Sequence, residues 1–269
     1  MATTISVITI CYNNPDELIS TCKSIDEQTC EPYEHLIIDG STNKRIINWL
    51  SKLPQPPYRK WIHEEDYGIA DAFNKGIKNA TGTLTHLLNS GDIFKESTAL
   101  KTVLNVFEQD PSLMWLHSKY VQHRGKINIV SGMPFDKNQL WKGMRQVAHP
   151  SMFIKKEVYY RHGLFNMELK IAMDYDFLVR IRNEKFIFLK APLVCFAPGG
   201  ASEKHFKQGL QEVKKIYRKH LGFSFQQSLW QLRQKLLYIF MQTGLGRYWF
   251  HLKNRKKKLQ TISKVTNKQ

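Results

Sequence analysis

Residues 5–15 have the sequence ISVITICYNNP, a short apolar run that ends in a polar turn and a proline. The run Ile5 to Cys11 is typical of a buried strand. Asn14 and Pro15 indicate a helix start, because Asn is a favoured cap residue and proline suits the first helical position. Apolar residues then recur at helical spacing on one face, namely Leu18, Cys22 and Ile25. This stretch therefore predicts a strand followed directly by a helix.

The same alternation of short apolar runs and amphipathic segments continues through the first hundred residues. Further strands are predicted at His35 to Asp39, Lys60 to His63 and Thr83 to Leu88, and helices at Arg45 to Leu50 and Ile69 to Asn79. This order predicts an α/β fold with a mostly parallel sheet flanked by helices. Ligands bind beyond the carboxyl ends of the strands in such sheets, so site residues are expected at that edge.

After a helix at Ser97 to Gln109 the pattern is less regular. Paired strands are predicted across Trp115 to Val130, and a further strand at His149 to Ile154. The remaining segments have helical patterns, at Lys156 to His162, Met173 to Glu184, Glu203 to His220 and Phe225 to Phe240. We divide the chain into an α/β domain at 1–205 and a helical extension at 206–269.

The positive charge of the protein is concentrated at its C-terminal end. The net charge is +17, and residues 201–269 carry 16 Lys and Arg against only two acidic residues, Glu203 and Glu212. The first 200 residues are therefore close to neutral. A basic end can contact an anionic membrane or nucleic acid, but a near-neutral main domain argues against specific nucleic-acid binding.

Targeting and cysteine patterns predict a protein of the cytoplasm. The four cysteines form no CxxC pair and no zinc-ligand spacing, which is typical of a reducing compartment. No basic residue precedes the apolar run at 5–11, and no apolar run approaches the ~18 residues that cross a bilayer. We expect a cytoplasmic protein that is peripheral on the inner face of the cell membrane.

Polar residues follow the second and fourth predicted strands directly, as Asp39-Gly40-Ser41 and as Asn89-Ser90-Gly91-Asp92. In each segment a carboxylate lies close to a glycine that allows a tight turn. A carboxylate here can accept hydrogen bonds from a base or ribose, or hold a divalent cation against a diphosphate. Asp and Asn also cap turns, so either segment alone is compatible with a purely structural role.

Asp71, Asn74 and Lys75 share one face of the third predicted helix, because they lie at positions i, i+3 and i+4. This helix begins at a glycine-containing turn at the same edge of the sheet, which favours a role in ligand binding. A solvated helix surface has the same pattern, and Lys75 can simply pair with Asp71.

Together these residues resemble the inverting family-2 glycosyltransferases, which have the GT-A fold. The resemblance covers roughly the first 200 residues and is carried by Ile5 to Asn13, Asp39 to Ser41, Asp66 to Gly76, Leu87 to Asp92, His149 to Ser151 and Asp174 to Asp176. The bacterial branch that acts in exopolysaccharide, lipopolysaccharide or colanic acid synthesis is the most similar. The resemblance implies transfer of a sugar from a nucleotide sugar to a glycan acceptor.

The resemblance implies a donor site at the strand ends and on the third helix. Its members are Thr9, Cys11, Tyr12, Asn13, Asp39, Asp71, Asn74, Lys75, Ser90 and Gly91. Asp39 matches the acid that contacts the nucleobase or ribose. UDP is favoured over GDP or dTDP as the nucleotide.

The segment Leu87 to Asp92 occupies the place of the family's Asp-x-Asp motif. The first acid of that motif is replaced by Asn89 or Ser90, which leaves Asp92 as the candidate ligand for Mg²⁺ or Mn²⁺. A cation here would neutralise charge on the departing nucleoside diphosphate.

Asp174 matches the family's general base, which removes the proton of the acceptor hydroxyl as its oxygen attacks the anomeric carbon. Relatives commonly have Glu-Asp here, whereas this chain has Met173-Asp174, and Asp174 can alternatively cap the following helix. A role near the acceptor, or in a lid over the diphosphate, is implied for His149, Asp176, Gly199, Gly200 and Ser202. His149 can also be a hydrogen-bonded residue of the wall.

The C-terminal extension has the features of a segment that lies on a membrane. Apolar residues recur at helical spacing from Phe225 to Phe240, and a basic cluster follows at Lys253 to Lys258. Basic amphipathic helices of this kind bind membrane interfaces. We expect residues 225–258 to bind an anionic membrane surface, where a lipid-linked glycan acceptor would lie. The apolar face can instead dock on the α/β domain, and the basic end can bind nucleic acid nonspecifically.

Two other functions are compatible with parts of the sequence. A basic nucleic-acid-binding protein would explain the C-terminal charge but not the acids at the predicted strand ends. A non-catalytic protein that binds sugar nucleotides would explain why Met173 and either Asn89 or Ser90 replace familiar acids.

Overall fold

The computed structural model describes residues 2–52, 54–124, 127–197, 199–246 and 248. Nine strands form one sheet in this part of the chain. They are β1 (Ile5–Cys11), β2 (Glu34–Asp39), β3 (Arg59–His63), β4 (Leu84–Leu87), β5 (Ile93–Phe94), β6 (Trp115–Arg124), β7 (Ile127–Ser131), β8 (Met152–Lys155) and β9 (Phe186–Phe196).

Helices connect the strands, and Pro15 opens the first of them as the sequence predicts. They are α1 (Pro15–Asp26), α2 (Arg45–Lys52), α3 (Ile69–Asn79), α4 (Ala99–Gln109), α5 (Lys156–His162), α6 (Met173–Arg180), α7 (Ala201–Lys204), α8 (Phe206–Leu221) and α9 (Phe225–Gln242). Two 3₁₀ turns, Lys137–Lys142 and His149–Ser151, lie between β7 and β8.

The predicted α/β fold is confirmed, but the sheet is mixed rather than mostly parallel. β3, β2, β1 and β4 are parallel neighbours in that order. β8 pairs antiparallel with β4 and β6, and β6 pairs parallel with β9 and antiparallel with β7. The parallel half places the carboxyl ends of four strands at one edge of the sheet, as the sequence predicts.

β9 was not predicted, because Pro192 interrupts it. Proline lacks the N–H that a central strand uses in its ladder. The structure accommodates Pro192 opposite Lys119 at an irregularity in the pairing of β6 with β9. The predicted strand at His149 to Ile154 starts only at Met152, because a 3₁₀ turn occupies its first three residues.

The helix α6 is anchored in the hydrophobic core. Tyr175 is fully buried, and its hydroxyl group donates to the carbonyl oxygen of Leu140 at 2.7 Å. Phe177 and Val179 are buried as well. The N-terminal turn of α6, which contains Asp174, therefore has a fixed position relative to the sheet.

The chain divides into two compact units, residues 1–222 and 223–269. The first unit includes α8, since Ile216 belongs to the same core cluster as Met173 and Tyr175. The α/β unit thus continues to Gly222, beyond the predicted boundary at 205. The second unit contains α9. Within the described ranges, no helix is both long and apolar enough to cross a membrane.

Candidate active site

The carboxyl ends of the four parallel strands meet at one edge, where backbone hydrogen bonds join the loops that follow them. Glu64 N–H donates to the carbonyl oxygen of Asp39, and Ser90 N–H donates to that of Ile10, each at 3.1 Å. We call this edge the strand rim, and it comprises residues 12–14, 40–44, 64–68 and 88–92.

The turn after β1 presents Tyr12 and Asn13 at the strand rim. Tyr12 is 59% exposed. Asn13 has a left-handed backbone with a φ of 56°, and its N–H donates to Ser41 Oγ at 2.8 Å. The amide of Asn43 donates to the side-chain oxygen of Asn13. The turn is therefore held by the loop after β2.

Thr9 and Cys11 are enclosed, in contrast to the prediction that they line the donor pocket. Thr9 Oγ1 lies 3.0 Å from His35 Nε2, and both side chains are fully buried. The Cys11 thiol lies 3.6 Å from Asp39 Oδ1. Burial and then the nearby Asp39 carboxylate raise the pKa of Cys11 well above its ordinary value. Both residues support the strand rim from inside the core.

A contact with His63, a residue that the sequence pattern did not indicate, connects the buried Asp39 to the strand rim. Asp39 is fully buried; its Oδ2 lies 2.8 Å from His63 Nδ1, and its Oδ1 accepts the Ser41 N–H at 3.0 Å. His63 faces Asp39 across the β2–β3 pair, and its side chain is 28% exposed. The signal in the sequence was that both residues end adjacent predicted strands.

Asp66 is a carboxylate at the strand rim that the sequence did not indicate as a site residue. It lies so close to Gly40 that a Cβ atom on that residue would collide with its carboxylate oxygen. Asp66 Oδ1 accepts the Gly68 N–H at 2.8 Å, directly before α3. Gly40 therefore leaves room for the Asp66 carboxylate, which would have to turn away from a larger residue.

The three side chains of α3 that were predicted for the donor site, Asp71, Asn74 and Lys75, contact other residues of the protein. Lys75 Nζ lies 3.2 Å from Asp71 Oδ2 and 3.1 Å from Glu64 Oε1, so the predicted alternative of a Lys75–Asp71 pair is confirmed. Asn74 uses both ends of its amide on the backbone of Phe165, at 2.9 Å each. The side chain of Asn74 therefore joins α3 to the segment before α6, and its donor-binding role stays a prediction.

The loop after β4 contains three buried oxygen atoms with no hydrogen-bond partner among the described residues. They are Asn89 Oδ1, Ser90 Oγ and Asp92 Oδ2. The other oxygen of Asp92 accepts the Ala197 N–H at 2.9 Å, and the side chain is 2% exposed. Burial raises the pKa of Asp92 to about 6, although the Ala197 N–H and His149 act in the opposite direction. Buried oxygens without partners are rare in folded proteins, and these three are available to a water, an ion or a substrate group.

These oxygens fit a hard divalent cation, since Mg²⁺ and Mn²⁺ prefer oxygen ligands. In the part of the chain that the structure describes, no group of three or more His, Cys, Asp and Glu side chains could hold a metal. Phosphate oxygens would therefore have to complete the coordination. Gly91 shapes this loop with a φ of 98°, a backbone conformation that favours glycine.

His149 links the loop after β4 to α6. Asn89 Nδ2 lies 3.0 Å from His149 Nε2, and donation from this amide leaves the Nδ1 proton of the ring facing Asp174. His149 Nδ1 lies 3.8 Å from Asp174 Oδ2. Asp174 is 25% exposed, and its Oδ1 accepts the Tyr175 N–H at 2.7 Å. Since the cap of α6 is Ala172, Asp174 does not have the alternative role of cap.

Of the residues predicted near the acceptor or in a lid, Asp176 is buried and the glycine-rich segment 199–202 is exposed at the residues whose burial is described. Asp176 is 4% exposed and binds Arg180 and His220, each at 3.0 Å, so its carboxylate is used within the protein. The predicted lid residues Gly199, Gly200 and Ser202 are exposed, just before and within the short helix α7.

The fold brings polar loops together at the carboxyl ends of parallel strands, where α/β enzymes commonly bind their ligands. Residues 6–163 match the family described as glycosyl transferase family 2. The chain belongs to this family, and it is a glycosyltransferase.

Relatives in other organisms are named as glycosyltransferases as well. A glycosyltransferase of Mycobacterium tuberculosis is 29% identical over 181 residues, which cover 66% of this chain and 69% of that protein. A PGL/p-HBAD biosynthesis glycosyltransferase of Mycobacterium bovis is 26% identical over 178 residues, which cover 65% of this chain and 68% of that protein.

Two solved structures share the fold. The Staphylococcus aureus TarS 1–349 fragment with UDP-GlcNAc matches with a TM-score of 0.62 and 15% identity, over 85% of this chain and 70% of the fragment. The mannosyltransferase PcManGT from Pyrobaculum calidifontis, with GDP-Man and Mn²⁺, matches with a TM-score of 0.62 and 17% identity, over 83% of this chain and 66% of that chain. This chain spans 45% of the longer TarS chain.

Proposed function

We propose that this enzyme transfers a sugar, with inversion at the anomeric carbon, from a nucleotide sugar to a lipid-linked glycan in cell-surface polysaccharide synthesis. The proposal rests mainly on the contacts from Asn89 through His149 to Asp174, next to the buried carboxylate of Asp92. These contacts support a candidate base and a candidate cation ligand that act together, although the two lie far apart in sequence.

In the proposed reaction, an acceptor hydroxyl oxygen forms a bond to the anomeric carbon while the bond from that carbon to the diphosphate breaks. Asp174 Oδ2 takes the hydroxyl proton, and the electron pair of the broken bond stays on the nucleoside diphosphate. His149 orients the Asp174 carboxylate, because Asn89 fixes the ring from its other side. Attack from the side opposite the leaving group inverts the configuration.

Asp92 would hold Mg²⁺ or Mn²⁺, with Asn89 and Ser90 supplying nearby oxygens. When bound, the cation neutralises charge on the departing diphosphate. Tyr12 and His63 would face the nucleoside. The end of β2 lies two strand spacings, or about 10 Å, from β4, which suits a nucleotide lying across the strand rim. A UDP donor is proposed ahead of a GDP or dTDP donor.

Thermal unfolding with UDP, GDP and dTDP, each with Mg²⁺, Mn²⁺ or EDTA, tests the donor site. A nucleotide at a hundred times its Kd stabilises the fold by about 2.7 kcal/mol, which raises the Tm by about 5 to 10 °C. We expect the largest rise with UDP and a divalent cation, and a smaller rise with EDTA. If none of the three nucleotides raises the Tm, the proposed binding of these nucleotides is contradicted.

The replacement of familiar acids at Asn89 or Ser90 and at Met173 makes the role of Asp174 in catalysis the point to test. We expect the release of nucleoside diphosphate from nucleotide sugars to depend on Asp174.

The second compact unit supports a further part of the proposal, that residues 225–258 hold the enzyme on the inner, cytoplasmic face of an anionic membrane. Leu229, Leu232, Leu236 and Ile239 of α9 are 54% to 61% exposed. Leucines exposed along a helix are available for burial in a membrane interface. The basic cluster Lys253 to Lys258 lies outside the described residues.

Sedimentation of the full-length protein with vesicles tests this membrane contact. We expect binding to vesicles of phosphatidylserine and phosphatidylcholine at low salt, and little binding to phosphatidylcholine alone. Replacing the five basic residues of 253–258 by Gln should weaken binding by about a hundredfold or more, since each contributes about 1 kcal/mol. Leu232→Gln should also weaken it, and Gln226→Ala, an exposed polar control on α9, should not. Wild type that stays in the supernatant with anionic vesicles would exclude the contact.

A further inference from the structure

The helix α8 lies beyond the residues that match the family, yet it packs against the segment that leads into α6. The family match ends at residue 163. Gly209 lets α8 approach Ile171 closely, because a Cβ atom at Gly209 would lie 3.1 Å from the Ile171 side chain. Ile216 is 3% exposed in the core of the same unit. The position of α8 is therefore fixed relative to α6.

One acidic side chain of α8 binds three successive backbone N–H groups in front of α6. Glu212 Oε2 accepts the N–H of Ala172 at 2.8 Å and that of Ile171 at 2.9 Å, and Glu212 Oε1 accepts the N–H of Lys170 at 3.2 Å. Gln208, one turn earlier on α8, donates to Oε1 at 2.9 Å. Both carboxylate oxygens are thus used on the chain that leads directly into Asp174.

The electrostatics of this contact favour an ionised Glu212. Burial acts to raise its pKa, but the hydrogen bonds from Ala172, Ile171 and Lys170 outweigh burial, and the pKa of Glu212 lies below its ordinary value. A negative charge at a helix N-terminus is also favourable, because the backbone dipoles of the helix point their positive end there. Hydrogen bonds to an ionised group are stronger than those between neutral groups.

A second contact holds the other side of the same turn. His220, near the end of α8, lies 3.0 Å from Asp176, which also binds Arg180. Asp174 lies between the two points at which α8 is attached, Ala172 and Asp176. Any shift of α8 would therefore move the Asp174 carboxylate relative to His149.

We infer that Glu212 is a positioning residue for sugar transfer, which fixes the turn 170–172 so that Asp174 faces the acceptor hydroxyl. The inference rests on the proposed role of Asp174 as the base. It also implies that α8, although outside the family match, is part of the catalytic unit.

Kinetics of three full-length variants test this inference. Glu212→Ala removes all three hydrogen bonds from the backbone N–H groups of residues 170–172. Glu212→Gln keeps the shape of the side chain but only one oxygen that can accept these bonds. Gln211→Ala is the control at the exposed neighbouring position. The substrate is whichever of UDP-GlcNAc, UDP-glucose or GDP-mannose the wild type hydrolyses fastest. We expect kcat to fall by about tenfold to a hundredfold in Glu212→Ala, because a small misplacement of a reacting group has this effect. KM for the donor should stay within about twofold, since the donor site is untouched.

Glu212→Gln should recover part of the lost kcat, and Gln211→Ala should match the wild type. Hydrogen exchange at the amides of residues 170–172 should speed up in Glu212→Ala. A kcat of Glu212→Ala within about twofold of the wild type, or a loss confined to KM, would overturn the inference. If Glu212→Ala does not fold, Glu212→Gln decides by the same criteria. Failure of the proposed function is recognised separately, because Asp174→Asn would then be as active as the wild type.

Discussion

Asp174→Asn is expected to lower kcat for sugar transfer by about 10²- to 10⁴-fold, the range that a positioned general base contributes. The Asn side chain is close in size to Asp, and its oxygen can still accept the Tyr175 N–H that Asp174 Oδ1 binds at 2.7 Å. It cannot take a proton from an acceptor hydroxyl. The measurement is release of nucleoside diphosphate in the presence of acceptor, together with the thermal shift caused by the nucleotide.

The thermal shift should be the same in Asp174→Asn and in the wild type, because Asp174 does not contact the nucleotide in the proposed reaction. Glu108→Gln, on the exposed surface of α4, is the matched control and should leave both measurements unchanged. Transfer by Asp174→Asn at a rate near that of the wild type would assign the base to another group. Loss of the nucleotide shift would instead show that the substitution disturbs the donor site.

The parallel half of the fold could be predicted because each of its signals is local. The spacing of apolar residues, together with Asn14 and Pro15 at the helix start, locates β1 and α1. The alternation of strands and helices then predicts that neighbouring strands pair in parallel. The second half could not be predicted in the same way. β9 contains Pro192, and a proline argues against a central strand when only the local sequence is considered. Its partner β6 lies some 70 residues earlier in the chain. Only long-range pairing with β6 makes this segment a strand.

The positions of the site loops could be predicted better than the roles of individual side chains. Asp39 and Asn74 follow the expected pattern, yet the structure buries the first behind His63 and ties the second to the backbone of Phe165. Burial of a polar side chain depends on partners that are distant in sequence, so a motif cannot reveal it. The same reason explains why Glu212 was missed, since its partners lie some 40 residues away.

Asp92→Asn is expected to lower the rate of transfer by about a hundredfold or more, because a cation bound there would supply several kcal/mol of stabilisation to the charged leaving group. The Asn oxygen can still accept the Ala197 N–H, so the loop should keep its conformation. The measurement is nucleoside diphosphate release against Mn²⁺ concentration. The variant should show little dependence on the metal, whereas a wild-type response to Mn²⁺ in the variant would remove Asp92 from the cation site.

The same substitution should make the metal-free protein more stable at neutral pH. Burial raises the pKa of Asp92 from 3.8 to about 6, so the folded protein binds this proton more tightly than the unfolded chain does. The stabilisation from that proton is complete below the unfolded pKa and is lost as the pH rises through about 6. Above that pH the wild type carries a buried carboxylate charge at 2% exposure, and the Asn variant does not.

The free energy of unfolding of the variant relative to the wild type should therefore grow by about 1 to 2 kcal/mol between about pH 5 and pH 7.5, measured by urea unfolding in EDTA. Glu108→Gln should show no such growth. An Asn variant that is less active and also less stable at pH 7.5 would mean that Asp92 supports the fold. A variant that is less active but more stable would mean that the enzyme keeps a costly buried charge because the charge serves the reaction, as the proposed cation site requires.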